Sequence, residues 1–345
     1  MSTNTAPLPI TFGDHLKALV ALNPSPRPWH HAMLVALCCA VPAFIGAALG
    51  AFQSGLMACM GAMAVMYMPA ASLGRRMVTM QVVAFGMAAS VALGLLAAWH
   101  PVLGAVVLGL ASFMITLICR YFRISPPGNF FFIMVAAIAT VIPFDLHSIP
   151  QRVGLIMLGS MSSCLLVFLY SLLFPTPEVR TPLPQASERI RPLVREALIT
   201  GGLIGLSYQI AHLLELHNPY WVPISCAAIL QGTSFRLVWM RKVQRIVGTA
   251  VGLVLAWLIF QIPMGPWGLS FAIIGLSIVI ESLILRNYGL AVIFITPLTV
   301  IFAGVASTGM PHDELVLIRL LDISIGSAIG ALGGWFLHLQ RPAST

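Results

Sequence analysis

The chain has 345 residues, 59% of them hydrophobic and only 8% charged, with a formal net charge of +8. A water-soluble domain carries roughly 25% charged residues, so this composition excludes a surface that meets water throughout, and with it a soluble enzyme. The positive charge does not point to nucleic acid, because the basic residues lie in short segments between apolar runs, the pattern that sets membrane topology.

The first 28 residues read as a cytoplasmic tail. Asp14, His15 and Lys17 interrupt residues 11–22 too often for the apolar core of a secretory signal; a short helix on the membrane surface and a plain tail both fit. Apolar runs near the ~20 residues that cross a bilayer then recur to the end of the chain. They predict spans at 33–50, 52–67, 77–99, 102–119, 129–144, 153–174, 197–216, 219–233, 243–262, 267–285, 288–307 and 315–339. The fold class expected is therefore all-α, a polytopic membrane protein of about 12 transmembrane helices. With the N-terminus inside, only Arg152 and Arg319 of the 18 lysines and arginines fall on the outer side. Positive residues resist translocation, so both termini are expected in the cytoplasm.

Two stretches of the chain match each other at a spacing of about 164. Arg27-Pro28 corresponds to Arg191-Pro192, and Gln81 to Arg245; further on, Arg152 through Gly159-Ser160 recurs as Arg319 through Gly326-Ser327. This predicts two like-oriented six-helix repeats, 29–174 and 197–340, related by an axis along the membrane normal. The linker between them, 175–196, holds Pro175, Pro177, Pro182 and Pro184. It reads as an extended cytoplasmic tether, with room for a short surface helix from Ser187.

The fullest functional signal is His217-Asn218-Pro219-Tyr220-Trp221-Val222-Pro223, which opens the short eighth span. Proline inside a helix removes a backbone hydrogen bond, and short or broken spans at matching places in two repeats point to a binding site. An aromatic belt at the outer interface with a structural proline also accounts for the segment. The charges inside spans come next. Glu281 and Arg245 are expected near the inner face on consecutive antiparallel helices, where they could meet. Arg319 and Asp322, three apart, share one face of the last span. A charge at mid-membrane costs a few kcal/mol on the most lenient scale, so these groups are expected to face protein. Either they pair and lock helices together, or an arginine draws in an anion while a carboxylate takes up protons. Glu215 and His212 are placed at the interface. Gly46-x3-Gly50, Gly248-x3-Gly252 and Gly326-x3-Gly330 read as close-packing motifs, Thr296-Pro297 as a kink, and the six cysteines as small packing residues without disulfides or metal. No phosphate-binding Gly-Lys-Ser/Thr loop occurs, so no ATPase is encoded, and neither an enzyme nor a cofactor is predicted.

At these residues the second half resembles the fusaric acid resistance and aromatic acid exporter family of bacterial inner membranes. The elements that carry the resemblance are Pro219-Tyr220-Trp221, then Arg245-x2-Gly248-Thr249-x2-Gly252, then Arg286-Asn287-Tyr288 and Thr296-Pro297-Leu298. It covers residues 191–339; in the first half Gln81 replaces the arginine and the Pro-Tyr-Trp element is missing. The linker is short where many family members carry a large cytoplasmic domain. The resemblance implies an inner-membrane exporter of small aromatic or other organic acids, drawing on the proton gradient or the membrane potential. It also implies partnership with a periplasmic membrane-fusion protein and an outer-membrane channel. The residues expected to bind substrate are Tyr220, Trp221, Pro223, Arg245, Arg286, Tyr288, Thr296 and Arg319, with Asp322 and Glu281 coupling protons. An anion channel and a non-transporting envelope assembly factor remain the alternatives.

Overall fold

The computed structural model describes residues 22–24, 27–124, 127–175, 190–231, 235–303 and 312–339, and the regular structure within them is helical. In chain order the elements are α1 (Trp29–Ala48), α2 (Phe52–Ala62) continued by a 3₁₀ helix (Met63–Tyr67), α3 (Leu73–Ala97), α4 (Pro101–Tyr121), α5 (Phe130–Ala139) and α6 (Ile149–Leu173). They continue with α7 (Ile190–Leu213), α8 (Trp221–Leu230), α9 (Phe235–Phe260), α10 (Pro266–Leu283), α11 (Tyr288–Ala303) and α12 (His312–Leu339). The predicted surface helix at the N-terminus and residues 187–189 lie outside the described residues, as do Lys17, Arg180 and Arg341, and the rest of the linker helix expected from Ser187 is the start of α7.

Among the described residues, six helices are long and apolar enough to cross a bilayer: α1, α3, α4, α6, α9 over Trp239–Phe260, and α10. Their outward faces are apolar. On α4, Val102, Val106, Leu110, Met114 and Ile118 are all exposed at four-residue spacing, and Leu158, Met161, Leu165 and Leu172 make the same kind of stripe on α6. Soluble monomers do not expose apolar patches of this extent; these faces are shaped for hydrocarbon, and the chain is a helical membrane protein.

Several helix ends differ from the predicted spans. α3 begins early enough to include Arg75 and Arg76, and α7 takes in Arg191, Arg195 and Glu196, which the sequence placed in the linker. Hydropathy marks the apolar part of a helix and passes over charged turns at its ends; of these charges, Arg76 is buried and donates to the Ser171 hydroxyl and the Pro69 carbonyl. The opposite correction applies to α5 and α8, ten residues each. Helices of that length rise about 15 Å, half of a ~30 Å hydrocarbon core. Their ends leave backbone groups without helical partners at membrane depth, which is tolerated only inside protein. Every residue of α8 is buried, as are eight of the ten in α5. None of the large exposed hydrophobics lies on α2, α5, α8 or α11, so among the described residues the short helices form the interior and the long ones the wall.

Glycine sets the closest approaches in this interior. A Cβ on Gly159 of α6 falls 1.8 Å from the Ala58 carbonyl oxygen of α2, and one on Gly326 of α12 falls 2.2 Å from that of Val222 in α8. Ser160 and Ser163 of α6 then donate to the Gly61 and Ala62 carbonyls, at 2.9 and 2.6 Å, where α2 tightens into its 3₁₀ turn. Gly248 and Gly252 press α9 against α11, the latter against the Ile293 carbonyl, whose helical donor Pro297 cannot supply. In Gly46-x3-Gly50 only Gly46 packs, against Gly55; Gly50 has positive φ and turns the chain out of α1.

Helix pairings recur six elements apart: α1–α2 with α7–α8, α2–α6 with α8–α12, α3–α5 with α9–α11, and α3–α6 with α9–α12. Between the two sets, α4 crosses α7 and α10 crosses α1. The first of these crossings is lined by Gly109, Gly201 and Gly205 and fastened by an Arg120–Glu196 ion pair of 2.6 Å. The second has Phe44 against Trp267 and Phe271 at one end and Arg27 and His31 on Glu281 at the other.

Replacing Gly326 by valine should lower the unfolding temperature of the detergent-solubilised protein, because the added carbons have only a carbonyl to meet; overpacking of this kind costs about 1–3 kcal/mol or more. Gly202→Ala, with nothing within 4 Å of its Cβ, should leave it unchanged. Equal melting of both variants would show that the α8–α12 contact is not this close.

Candidate functional site

The site is built on α8. The chain turns at Asn218-Pro219, whose carbonyls accept from the Trp221 and Val222 amides at 3.1 and 3.3 Å, and the first full helical bond runs from Ile224 to Tyr220. Pro223 therefore stands in the first turn, where amides have no helical acceptor in any case. It does not break α8 from within, contrary to the expectation from sequence, because at the third helical position it gives up no helical bond.

α8 packs on α12, α7, α5 and α9, and α11 joins the site through Tyr288 and Thr299. Arg319, Asp322 and Gly326 follow at i, i+3 and i+7, one face of α12, and Gly326 brings that face against Val222 and Ser225 of α8. The Arg319 guanidinium lies 3.8 Å over the Trp221 ring and donates to the Thr299 hydroxyl of α11. The Arg245 guanidinium, from α9, donates to the Ser225 hydroxyl and to the Tyr288 phenol, both at 3.3 Å. Trp221 and Ser225 are one helical turn apart, so the two guanidinium groups contact one face of α8 at levels about 6 Å apart. Arg319 is within Coulombic reach of both Arg245 and Asp322, and the Tyr220 phenol is within reach of Arg319 and Asp322.

Burial here is nearly complete: Arg245 is 7% exposed, Arg319 5% and Asp322 0%. Yet both Asp322 oxygens, the Nε of each arginine and the Ser327 hydroxyl have no hydrogen-bond partner among the described residues. Each such orphan costs about 1–3 kcal/mol, more where it is charged. Apolar residues of similar size would pack without that cost, so packing alone does not account for this cluster.

The other predicted site residues lie elsewhere. Glu281 does not meet Arg245. Its carboxylate takes the Arg27 guanidinium and lies 3.3 Å from His31 Nδ1, tying α10 to the start of α1. Arg319 and Asp322 share a face, but no ion pair joins them among the described residues; Arg319 spends its guanidinium on an indole face and a hydroxyl. Arg286 is exposed, and its carbonyl accepts from Asn23. Tyr288 is shared between Arg245 and the Arg241 guanidinium, 5.4 Å from its ring. Thr296 bonds the Val292 carbonyl of its own helix and packs on Gly252, so it shapes α11 without facing the arginines. Two residues escaped the sequence reading, namely Ser225 and Thr299, and Ser327 entered it only through the repeat. Ser225 could have been found one turn after Trp221; nothing in the sequence distinguishes Thr299 from Thr296.

The matching positions of the first half are ordinary. Gln81, opposite Arg245 in the alignment, is exposed. Arg152, opposite Arg319, is partly exposed and donates to the Pro143 carbonyl. Ser160 is bonded to Gly61 where its counterpart Ser327 has no partner among the described residues.

Residues 206–333 match the fusaric acid resistance protein-like family. The match begins within α7 and ends within α12, so every residue of the buried cluster lies inside it. Among curated proteins, the uncharacterized membrane protein YvaC of Bacillus subtilis is 33% identical over 146 residues, 42% of this chain and 23% of its own length. The uncharacterized protein slr1298 of Synechocystis is 33% identical over 153 residues, 44% of this chain and 20% of its own. The uncharacterized protein YhfK of Escherichia coli is 30% identical over 160 residues, 45% and 22% respectively. The chain thus matches about a fifth to a quarter of the length of these relatives. No solved structure matches it.

If the Arg319 guanidinium depends on Thr299, then Thr299→Val should destabilise the protein by about 1–3 kcal/mol, read as a drop in unfolding temperature. Thr296→Val, whose hydroxyl is spent on its own helix, should cost less. The reverse order would remove Thr299 from the site.

Proposed function

We propose that this chain is a membrane exporter of small aromatic or other organic acids, with its binding site between α8, α9, α11 and α12. The observation that carries the reading is the pair of buried guanidinium groups one turn apart on α8, each with an unpartnered Nε, beside the rings of Tyr220 and Trp221. Guanidinium forks suit carboxylates, and aromatic side chains suit a flat apolar body. The family match supports a transport or resistance role for the same region.

The recurring pairings support the two-repeat arrangement. Related bundles of six helices whose second and fifth members are short would start on the same side of the membrane, and put a substrate path at the shared interior. On this reading both termini lie in the cytoplasm, and the site belongs to the second bundle, since the first carries Gln81 and Arg152 at the matching places. Asp322 is the carboxylate placed to couple protons to export; Glu281, already held by Arg27 and His31, has a locking role instead. Energy comes from the proton gradient or the membrane potential, the latter worth ~2.3 kcal/mol per charge per 100 mV. A periplasmic membrane-fusion protein and an outer-membrane channel are the partners this role calls for in a two-membrane envelope.

The test is counterflow of radiolabelled aromatic acids in liposomes holding the purified full chain. Arg319→Ala and Arg245→Ala should each cut the rate about 10- to 100-fold, the worth of one charge-assisted hydrogen bond, while Arg152→Ala should not. Robust counterflow in both site variants would overturn the assignment; bilayer currents without any gradient of protons would make the protein a channel.

A further inference from the structure

The unsatisfied groups of the site are of two kinds, and a plain anion answers only one of them. The Nε atoms of Arg245 and Arg319 are donors without acceptors, whereas the two Asp322 oxygens are acceptors without donors, and Asp322 is fully buried. The charged and titratable groups around Asp322 are Arg319 on its own helix and Tyr220 at the start of α8, with Arg245 of α9 in reach of Arg319. On α7, the third helix packed on α12, the rings of Tyr208 and His212 lie against each other. None of these gives Asp322 a hydrogen bond.

A benzoate-like anion would satisfy the guanidinium groups and leave both Asp322 oxygens without a donor. A ligand that also carries an N–H or O–H would satisfy both sets at once. Resting on the export reading above, we propose that Asp322 is the specificity residue of this site, and that the ligand is a carboxylic acid bearing a hydrogen-bond donor, an amino group above all. The carboxylate meets Arg245 and Arg319, the donor meets Asp322, and the apolar body lies by Tyr220 and Trp221. Sites built around buried polar groups reject ligands that leave those groups unpaired, so the donor matters more than the size of the substituent. A proton bound to Asp322 takes one of its two oxygens and leaves the other a weaker, uncharged acceptor for the ligand's donor. Proton and ligand therefore compete at one carboxylate, as an exchanger requires.

The experiment is binding of 4-aminobenzoate and 4-methylbenzoate, matched in size and differing in the donor, to the purified full chain in detergent at neutral pH, by titration calorimetry. Wild type should prefer the amino compound about 10- to 100-fold. Asp322→Ala should lose that preference by binding the amino acid more weakly while binding the methyl acid as well or better, since a like charge has gone. Equal binding of the two acids by wild type, or a preference that survives Asp322→Ala, overturns the proposal. Should the variant fail to fold, the wild-type comparison alone decides. If neither acid binds wild type, it is the organic-acid reading of the site that fails, and this inference falls with it.

Discussion

Hydrocarbon supplies no hydrogen bonds, so every backbone end and every charge of this chain must be answered by the protein itself, and the arrangement of the helices follows from that. Helices long enough to cross the bilayer can stand at its boundary, since their ends reach water. A ten-residue helix such as α5 or α8 cannot, and both are enclosed on all sides. Enclosure needs close approach, and the chain supplies it with small residues where α6 meets α2 and α12 meets α8: Gly61, Gly159 and Gly326 face carbonyls that any Cβ would strike.

The same constraint gives the buried charges their meaning. Glu281 obeys it in the ordinary way, with Arg27 and His31 against its carboxylate at the joint between α1 and α10. The cluster on α8 does not. Arg245 and Arg319 are partly answered by Ser225, Tyr288, Thr299 and the face of Trp221, and Asp322 is not answered at all among the described residues. A protein that satisfies Glu281 so fully, and leaves three charged residues a few helices away short of partners, separates a structural ion pair from a binding surface.

The two halves use one framework for different ends. Gly159-Ser160 and Gly326-Ser327 pack the sixth and twelfth helices on the second and eighth in the same manner. In the first half the serine is spent on the Gly61 carbonyl; in the second the Ser327 hydroxyl has no such bond among the described residues.

Much of this was legible in the chain itself. Hydropathy placed the helices, because the length of an apolar run is fixed by the bilayer, and the excess of buried charge after Pro219-Tyr220-Trp221 marked the second half as the functional one. The pairing of those charges was not legible. Spacing put Arg319 and Asp322 on one face and brought Glu281 within range of Arg245, but which group a long side chain reaches depends on the helix opposite. The tertiary structure gave Glu281 to Arg27, some 250 residues away, gave Arg319 to Trp221 and Thr299, and left Asp322 open. Local sequence sets which way a residue faces on its helix; only the packing of helices distant in the chain decides whether that face meets a partner, a carbonyl or a ligand.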